Sequence, residues 1–335
     1  MPRLRRSDCS STGITRRGAG RGFAYYDATG AHVTDRAVLD RIAQLAIPPA
    51  WRDVWICPFP NGHLQATGVD AAGRKQYRYH DAWRTRRDAQ KFEDMTRFAR
   101  ALPALRERVD ADLAGSEALT RARVLACAVR LLDRGFFRVG GEQYTDSYGL
   151  ATIRKRHVAI EDGQMVFDYP AKGGQRRIQG VVDPPAQEVV CALKRRRGGG
   201  PELLAYKERG RWHDLRSDDI NDYLKASGDF SAKDFRTWNA TVLAAVALAV
   251  SGPAASRKRA INRAVEETAR YLGNTPAVCR ASYIDPRVFD AYRGGLVVDP
   301  RLLELPAGHP RIERAVLDLI DEREAAPGVA QVSSG

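Results

Sequence analysis

The chain predicts an α+β fold: a small antiparallel β-sheet domain followed by a larger, mainly α-helical domain that carries a short β-hairpin. Between Phe23 and Tyr79 short apolar runs alternate with turn residues, as strands joined by tight connections do. Beyond Asp81 the apolar positions Phe92, Met95, Phe98, Ala99 and Leu102 recur at three- and four-residue spacing, the period of an amphipathic helix. With 335 residues the chain is long enough for two domains with separate cores.

Residues 1–22 are rich in Arg, Ser and Gly and read as a flexible basic N-terminus. Gly18-Ala19-Gly20-Arg21-Gly22 lacks the Lys-Ser/Thr ending of a phosphate-binding loop and reads as a plain loop. The strand candidates are Phe23-Ala24-Tyr25-Tyr26, Val54-Trp55-Ile56-Cys57 and His63-Leu64-Gln65-Ala66-Thr67-Gly68, with a helix over 35–46 and Gln76-Tyr77-Arg78-Tyr79 closing the sheet. A boundary near Arg84–Arg86 separates a β-rich domain at 23–85 from a helical one at 86–325, and 326–335 reads as a flexible tail. Pro103 is expected to punctuate the first long helix, and 119–132 supplies another. Val158 and Ile160, then Met165, Phe167 and Tyr169, alternate as strands do about the turn Glu161-Asp162-Gly163. Pro170-Ala171-Lys172-Gly173-Gly174 makes a second turn, which places Lys172 at a hairpin tip. Lys194–Gly200 reads as a basic, glycine-rich connector, and after Asp218 the helical period resumes.

Charge is the unusual feature of the composition. Lys and Arg number 54 against 41 Asp and Glu, a net +13, which points to a polyanionic partner. Five scattered cysteines have no zinc-ligand spacing and suit a reducing compartment better than a disulfide scaffold. The longest apolar run, Ala240 to Val250, is too short to span a bilayer. The basic N-terminus lacks the apolar segment of a secretory signal. These features predict a cytoplasmic, nucleoid-associated protein without membrane contact.

The candidate chemistry lies in four residues. Tyr283 ends the string Leu272-Gly273-Asn274-Thr275-Pro276-Ala277-Val278-Cys279-Arg280-Ala281-Ser282-Tyr283. Upstream stand Arg138 in Arg-Val-Gly-Gly-Glu, Lys172 in Pro-Ala-Lys-Gly-Gly and Arg236 in Lys-Asp-Phe-Arg-Thr-Trp. Singly, each has an ordinary reading: a surface ion pair, a turn lysine, a helix cap, one of twelve tyrosines. Together they are what metal-free phosphodiester transesterification needs. A phenol oxygen attacks phosphorus, two forked guanidiniums hold the charge that develops, and an ammonium protonates the leaving oxygen. A phenol titrates near about 10 and needs help at neutral pH, from neighbouring arginines or from a helix N-terminus such as Thr275-Pro276 would start.

In this ordered set and its local neighbours the chain resembles the type IB DNA topoisomerases, specifically the small poxvirus-like and bacterial branch, from about Gly22 to Val298. The resemblance implies that Tyr283 is the nucleophile, that Arg138 and Arg236 stabilise the transition state, and that Lys172, lowered in pKa by Arg138, is the general acid. It further implies a 3′-phosphotyrosyl intermediate and no ATP or metal requirement. The family's usual His in Leu-Gly-His is Asn274 here. Asn still donates a hydrogen bond but carries no charge, so a slower site is expected, by about 1 kcal/mol. The partner implied is double-stranded DNA, bound by a monomeric two-domain clamp. Arg74, Lys75, Gln76, Tyr77 and Tyr79 interleave basic, amide and aromatic groups, as a groove-facing strand would. A half-buried strand with both tyrosines in the core fits that spacing equally. Tyr144 and Lys233 match positions near the scissile phosphate in relatives.

Two rivals share parts of this reading. A tyrosine recombinase has the same catalytic domain and intermediate but generally carries His-x-x-Arg where this chain reads Lys233-Asp234-Phe235-Arg236, and lacks the small sheet domain. A non-catalytic DNA-binding clamp would keep the charge, but Arg138, Lys172, Arg236 and Tyr283 are all present.

Overall fold

The computed structural model describes residues 3–142, 146–252, 256–305, 309–322 and 326–331. The chain divides into two compact units, Met1–Lys91 and Phe92–Gly335.

The first unit is an antiparallel sheet in the order β2-β1-β3-β4-β5. Its strands are β1 (Ile14–Ala19), β2 (Gly22–Tyr26), β3 (Arg52–Ile56), β4 (Leu64–Val69) and β5 (Lys75–Tyr79), with helix α1 (Arg36–Gln44) between β2 and β3. Asp35 caps α1, its carboxylate accepting from Ala37 N at 2.8 Å. Ile14, Ile42, Val54, Ile56 and Ala66 form the core of this unit. The segment expected to be a flexible N-terminus is instead part of the sheet. β1 pairs with both β2 and β3, and Arg5 N donates to Asn61 O at 2.8 Å. A strand whose basic side chains face outward shows little apolar alternation; Ile14 supplies its anchor, 6% exposed.

Helix α2 (Asp81–Ala114) runs through Pro103 without a break. Proline removes one backbone bond at a cost of about 3 kcal/mol. Buried Leu102, Leu105, Val109 and Leu113 hold the helix against the core on both sides of it. The division between units falls inside α2, at the point where Phe92 becomes the first residue packed into the second core.

The second unit is mainly helical. α3 (Arg121–Gly135) and α6 (Ala232–Ser251) are its central buried helices. Around them lie α4 (Pro184–Arg195), α5 (Ser217–Lys225), α7 (Arg257–Leu272), α8 (Pro276–Ser282), α9 (Pro286–Arg293) and α10 (Pro310–Ile320). A three-stranded antiparallel sheet joins β6 (Val158–Glu161), β7 (Gln164–Pro170) and β8 (Arg176–Val181). The turn at Asp162-Gly163 has positive φ at both residues (47° and 77°), as a two-residue hairpin loop requires. Two further antiparallel strand pairs have no counterpart in the sequence reading: the hairpin of β9 (Ala205–Glu208) with β10 (Arg211–Asp214), and β11 (Leu296–Val298) with β12 (Val329–Gln331), which pair across the intervening α10. The second corrects the tail, because 329–331 form a strand rather than a free end.

All five cysteines are unbridged thiols. Burial pushes Cys127 up to about 12 and Cys279 up to about 11, which leaves both as inert apolar groups. Among the described residues no helix is long and apolar enough to cross a membrane.

Candidate active site

Two helix ends build the site. α3 stops at Gly135, and Phe136 turns the chain in the left-handed conformation (φ 55°). Only glycine fits at 135, because a Cβ there would stand 2.2 Å from the Phe137 ring. The chain then delivers Arg138. α7 stops at Leu272, and Gly273 takes the left-handed cap conformation (φ 63°), where a Cβ costs strain. Asn274 follows, and Thr275 caps α8 by accepting from Val278 N at 3.3 Å.

The last carbonyls of a helix lack intrahelical partners and carry the negative end of its dipole. At α7 three successive carbonyls each take a different arginine. Arg177 Nη2 donates to Tyr271 O. Arg236 Nη2 donates to Leu272 O at 2.9 Å, and Arg138 Nη2 reaches Gly273 O at 3.4 Å. Arg138 Nη2 also donates to Asn274 Oδ1, and Arg236 Nη1 donates to Phe136 O. Arg236 lies one turn inside α6, whose start is closed by Asp234 accepting from Ser231 N at 2.8 Å.

Tyr283 is the C-cap of α8. The expected help from the helix that Thr275-Pro276 starts is therefore absent, since the phenol follows the other end. Arginines supply it instead. The Arg236 guanidinium carbon is 5.3 Å from the Tyr283 ring centroid. Burial pushes the phenol up, but the charges of Arg236 and Arg138, with polar contacts from Arg236 and Asn274, outweigh it and hold Tyr283 below the usual tyrosine range. Burial, then the charge of Arg138, pushes Arg236 down to about 10, so it stays a cation at neutral pH. Arg236 Nε and Asn274 Nδ2 are buried and complete no hydrogen bond among the described residues. Unmet donors of this kind are costly in a folded chain unless a ligand or transition state uses them.

Beside these groups lies a cavity of about 230 Å³ lined by Arg138, Lys172, Arg177, Arg236, Arg270 and Gly273, among others. No carboxylate stands among the described residues that line it. Its chemistry is that of an anion receptor. Lys172 sits in the exposed β7–β8 turn between Ala171 and Gly173 (φ 85°). The structure thus brings Arg138, Lys172, Arg236, Asn274 and Tyr283 to one place. Arg177 and Arg270 were not singled out from sequence. For Arg177 the strand alternation is the available signal: Arg176 points out to Asp168 (Nε to Oδ1, 2.8 Å), so its neighbour must point in.

The nucleic-acid candidates occupy the other unit and the start of α6. Tyr77 and Tyr79 are exposed on β5, their rings 6.2 Å apart and near-parallel at 17°. They are not core residues. Arg74 Nε and Gln76 Nε2 each donate to Asp70 Oδ2 at 2.9 Å, and Lys75 Nζ is 3.6 Å from Cys9 Sγ. Lys233 is exposed in the first turn of α6. Tyr144 lies outside the described residues. Among the described residues there is no group of three or more His, Cys, Asp or Glu placed to hold a metal ion.

Known proteins give this geometry its class. Residues 80–293 match the family of the eukaryotic DNA topoisomerase I catalytic core. Residues 22–70 match the N-terminal domain of bacterial DNA topoisomerase IB. The chain is also 29% identical over 299 residues to "DNA topoisomerase 1B" of Acanthamoeba polyphaga mimivirus, covering 84% of this chain and 88% of that protein. Fold and site therefore define a DNA topoisomerase, an isomerase whose substrate is DNA. The chain belongs to the type IB topoisomerase family, and its N-terminal match places it with the bacterial branch.

Proposed function

We propose that this chain relaxes positive and negative supercoils by transient cleavage of one strand, without ATP or metal, acting as a monomer. The Tyr283 phenolate attacks the scissile phosphorus, the bond from phosphorus to the 5′ oxygen breaks, and Lys172 gives that oxygen its proton. A 3′-phosphotyrosyl ester and a free 5′ hydroxyl result. Reversal returns the proton to Lys172 and reseals the strand, and because the ester conserves the bond no nucleotide is consumed. Arg138, Arg236 and Asn274 take the charge on the non-bridging oxygens, each arginine worth about 3–4 kcal/mol in the transition state. The first unit (Met1–Lys91) holds the duplex through Arg74, Lys75, Gln76, Tyr77 and Tyr79, Lys233 and Tyr144 act near the cleaved phosphate, and the second unit (Phe92–Gly335) carries the chemistry.

One observation carries this reading: a phenol held below its ordinary pKa by two arginines, beside buried Arg236 Nε and Asn274 Nδ2 donors that complete no hydrogen bond among the described residues. The test is relaxation of a supercoiled plasmid in EDTA without ATP, native chain beside Tyr283→Phe. Relaxation of both supercoil signs by the native chain alone is expected. DNA binding by the native chain without relaxation would sink the proposal.

A further inference from the structure

Arg236 bridges the two helix ends of the site, donating to Phe136 O after α3 and to Leu272 O at the end of α7. One residue back on each side a second bridge repeats this pattern. Arg177 Nη2 donates to Tyr271 O. Arg177 Nε donates to Gln179 Oε1 at 2.7 Å, and Gln179 Nε2 donates to Gly135 O at 2.5 Å. Both residues lie on β8, whose first residue, Arg176, follows directly on the Lys172 turn. The Arg177 guanidinium also fills the space over Gly273: a Cβ there would stand 2.7 Å from Nη1.

We propose that Arg177 and Gln179 form a positioning bridge that ties the Lys172 hairpin to the ends of α3 and α7 and so aligns Arg138, Arg236 and Asn274 on the scissile phosphate. This rests on the reading of the site given above. Arg177 donates through Nε and Nη2 to Gln179 and to the end of α7, so its part is assigned to holding its neighbours, and the tests below separate that from a contact with the phosphate. Two consequences separate the bridge from a plain DNA contact. Its loss lowers the rate of cleavage when all the DNA is bound, not the affinity. Its effect shrinks once Asn274, one of the groups it aligns, has been removed.

The experiment traps the covalent protein–DNA complex with SDS on plasmid DNA at saturating protein, as a rate, for the native chain, Arg177→Ala, Arg177→Lys, Gln179→Ala, Asn274→Ala and the Arg177→Ala/Asn274→Ala pair. Duplex affinity and thermal unfolding are measured alongside. Displacing the arginines by a fraction of an ångström to an ångström should slow Arg177→Ala by up to about 10²-fold, and Gln179→Ala by about tenfold, with duplex affinity unchanged. Arg177→Lys should recover part of the rate, since an ammonium still reaches Tyr271 O but cannot hold Gln179 as well. In the Asn274→Ala background the Arg177→Ala effect should be less than multiplicative, the sign of shared action. Native rate in a folded Arg177→Ala, a defect cured by more protein, or full multiplicativity would each overturn the bridge. If Arg177→Ala does not fold, native rates in both Gln179→Ala and Arg177→Lys would overturn it. Absence of any trapped complex with the native chain would instead overturn the reading of the site itself.

Discussion

Asn274 departs from the family's usual His, and its two ends do different work. Oδ1 accepts from Arg138, while Nδ2 is buried, completes no hydrogen bond among the described residues and is the end that can favour the Tyr283 phenolate. A neutral imidazole can also accept through one ring nitrogen and donate through the other; an imidazolium can only donate. The simple expectation that Asn274→His speeds the site therefore becomes a pH-dependent one. Relative to native, Asn274→His should gain in single-turnover cleavage rate as pH rises through about 6.5. A mutant-to-native ratio that falls with pH would show that the Arg138 contact does not matter. Tyr283 yields a second test. Its phenol is lowered by Arg236 and Arg138 against the effect of burial, and the ionised form is the attacking one. Cleavage should rise with pH up to the phenol's pKa, and Arg138→Gln should move that limb to higher pH besides slowing cleavage by about 10²-fold or more. An unmoved limb would assign the pH dependence to another group.

Among the elements, the end of α7 organises the site, because orphan carbonyls and a negative dipole end collect three guanidiniums that would otherwise repel one another. Gly273 makes this possible through its positive φ (63°) and its contact with Arg177. Gly273→Ala should cost about 1–2 kcal/mol in stability from the left-handed conformation alone. Its cleavage rate should fall further than that loss explains, as denaturant unfolding and single-turnover trapping would show. A different ion network holds the helices together. Arg106 pairs with Asp133 at 2.8 Å and with Glu313 at 2.6 Å, tying α2 to α3 and α10. Arg106→Ala leaves two mostly buried carboxylates without their shared cation and should destabilise by about 3–5 kcal/mol. Activity per folded molecule at low temperature should hold; a loss there with native stability would move Arg106 into the site.

At the scale of the whole molecule, a net charge of +13 makes duplex affinity fall steeply with salt, each neutralised phosphate adding about 0.9 to the log–log slope. Tyr77 and Tyr79 are exposed, so replacing both with Ala should change stability by no more than about 0.5 kcal/mol per site. Affinity should drop while the salt slope stays, since neither side chain is charged. A large fall in unfolding temperature would return them to a structural role.

The α+β class, the α1 and α3 helices and the β7–β8 turn bearing Lys172 were legible in the chain because each depends on local period or turn chemistry. Apolar spacing in 92–102, glycines at 173 and 174, and Asp35 before α1 are properties of a few neighbouring residues. The family was legible too, because a phenol, guanidiniums and an ammonium stand in the order and local settings of the type IB topoisomerases. What escaped depends on contacts distant in sequence. β1 pairs with its neighbour β2 but is tied into the sheet by β3 at Ile14 and Thr15, and 329–331 become a strand only against Leu296–Val298. Pro103 does not end α2, because burial of the flanking leucines outweighs one lost hydrogen bond. Residue identities and their local periods thus determined the fold class and the kind of chemistry. Only the tertiary structure decided that arginines rather than a helix N-terminus lower Tyr283, and that Arg177 joins them. The reason is physical: field strength and hydrogen-bond partnership depend on distance through space, and residues 135, 177, 236 and 271 meet only when the helices have packed.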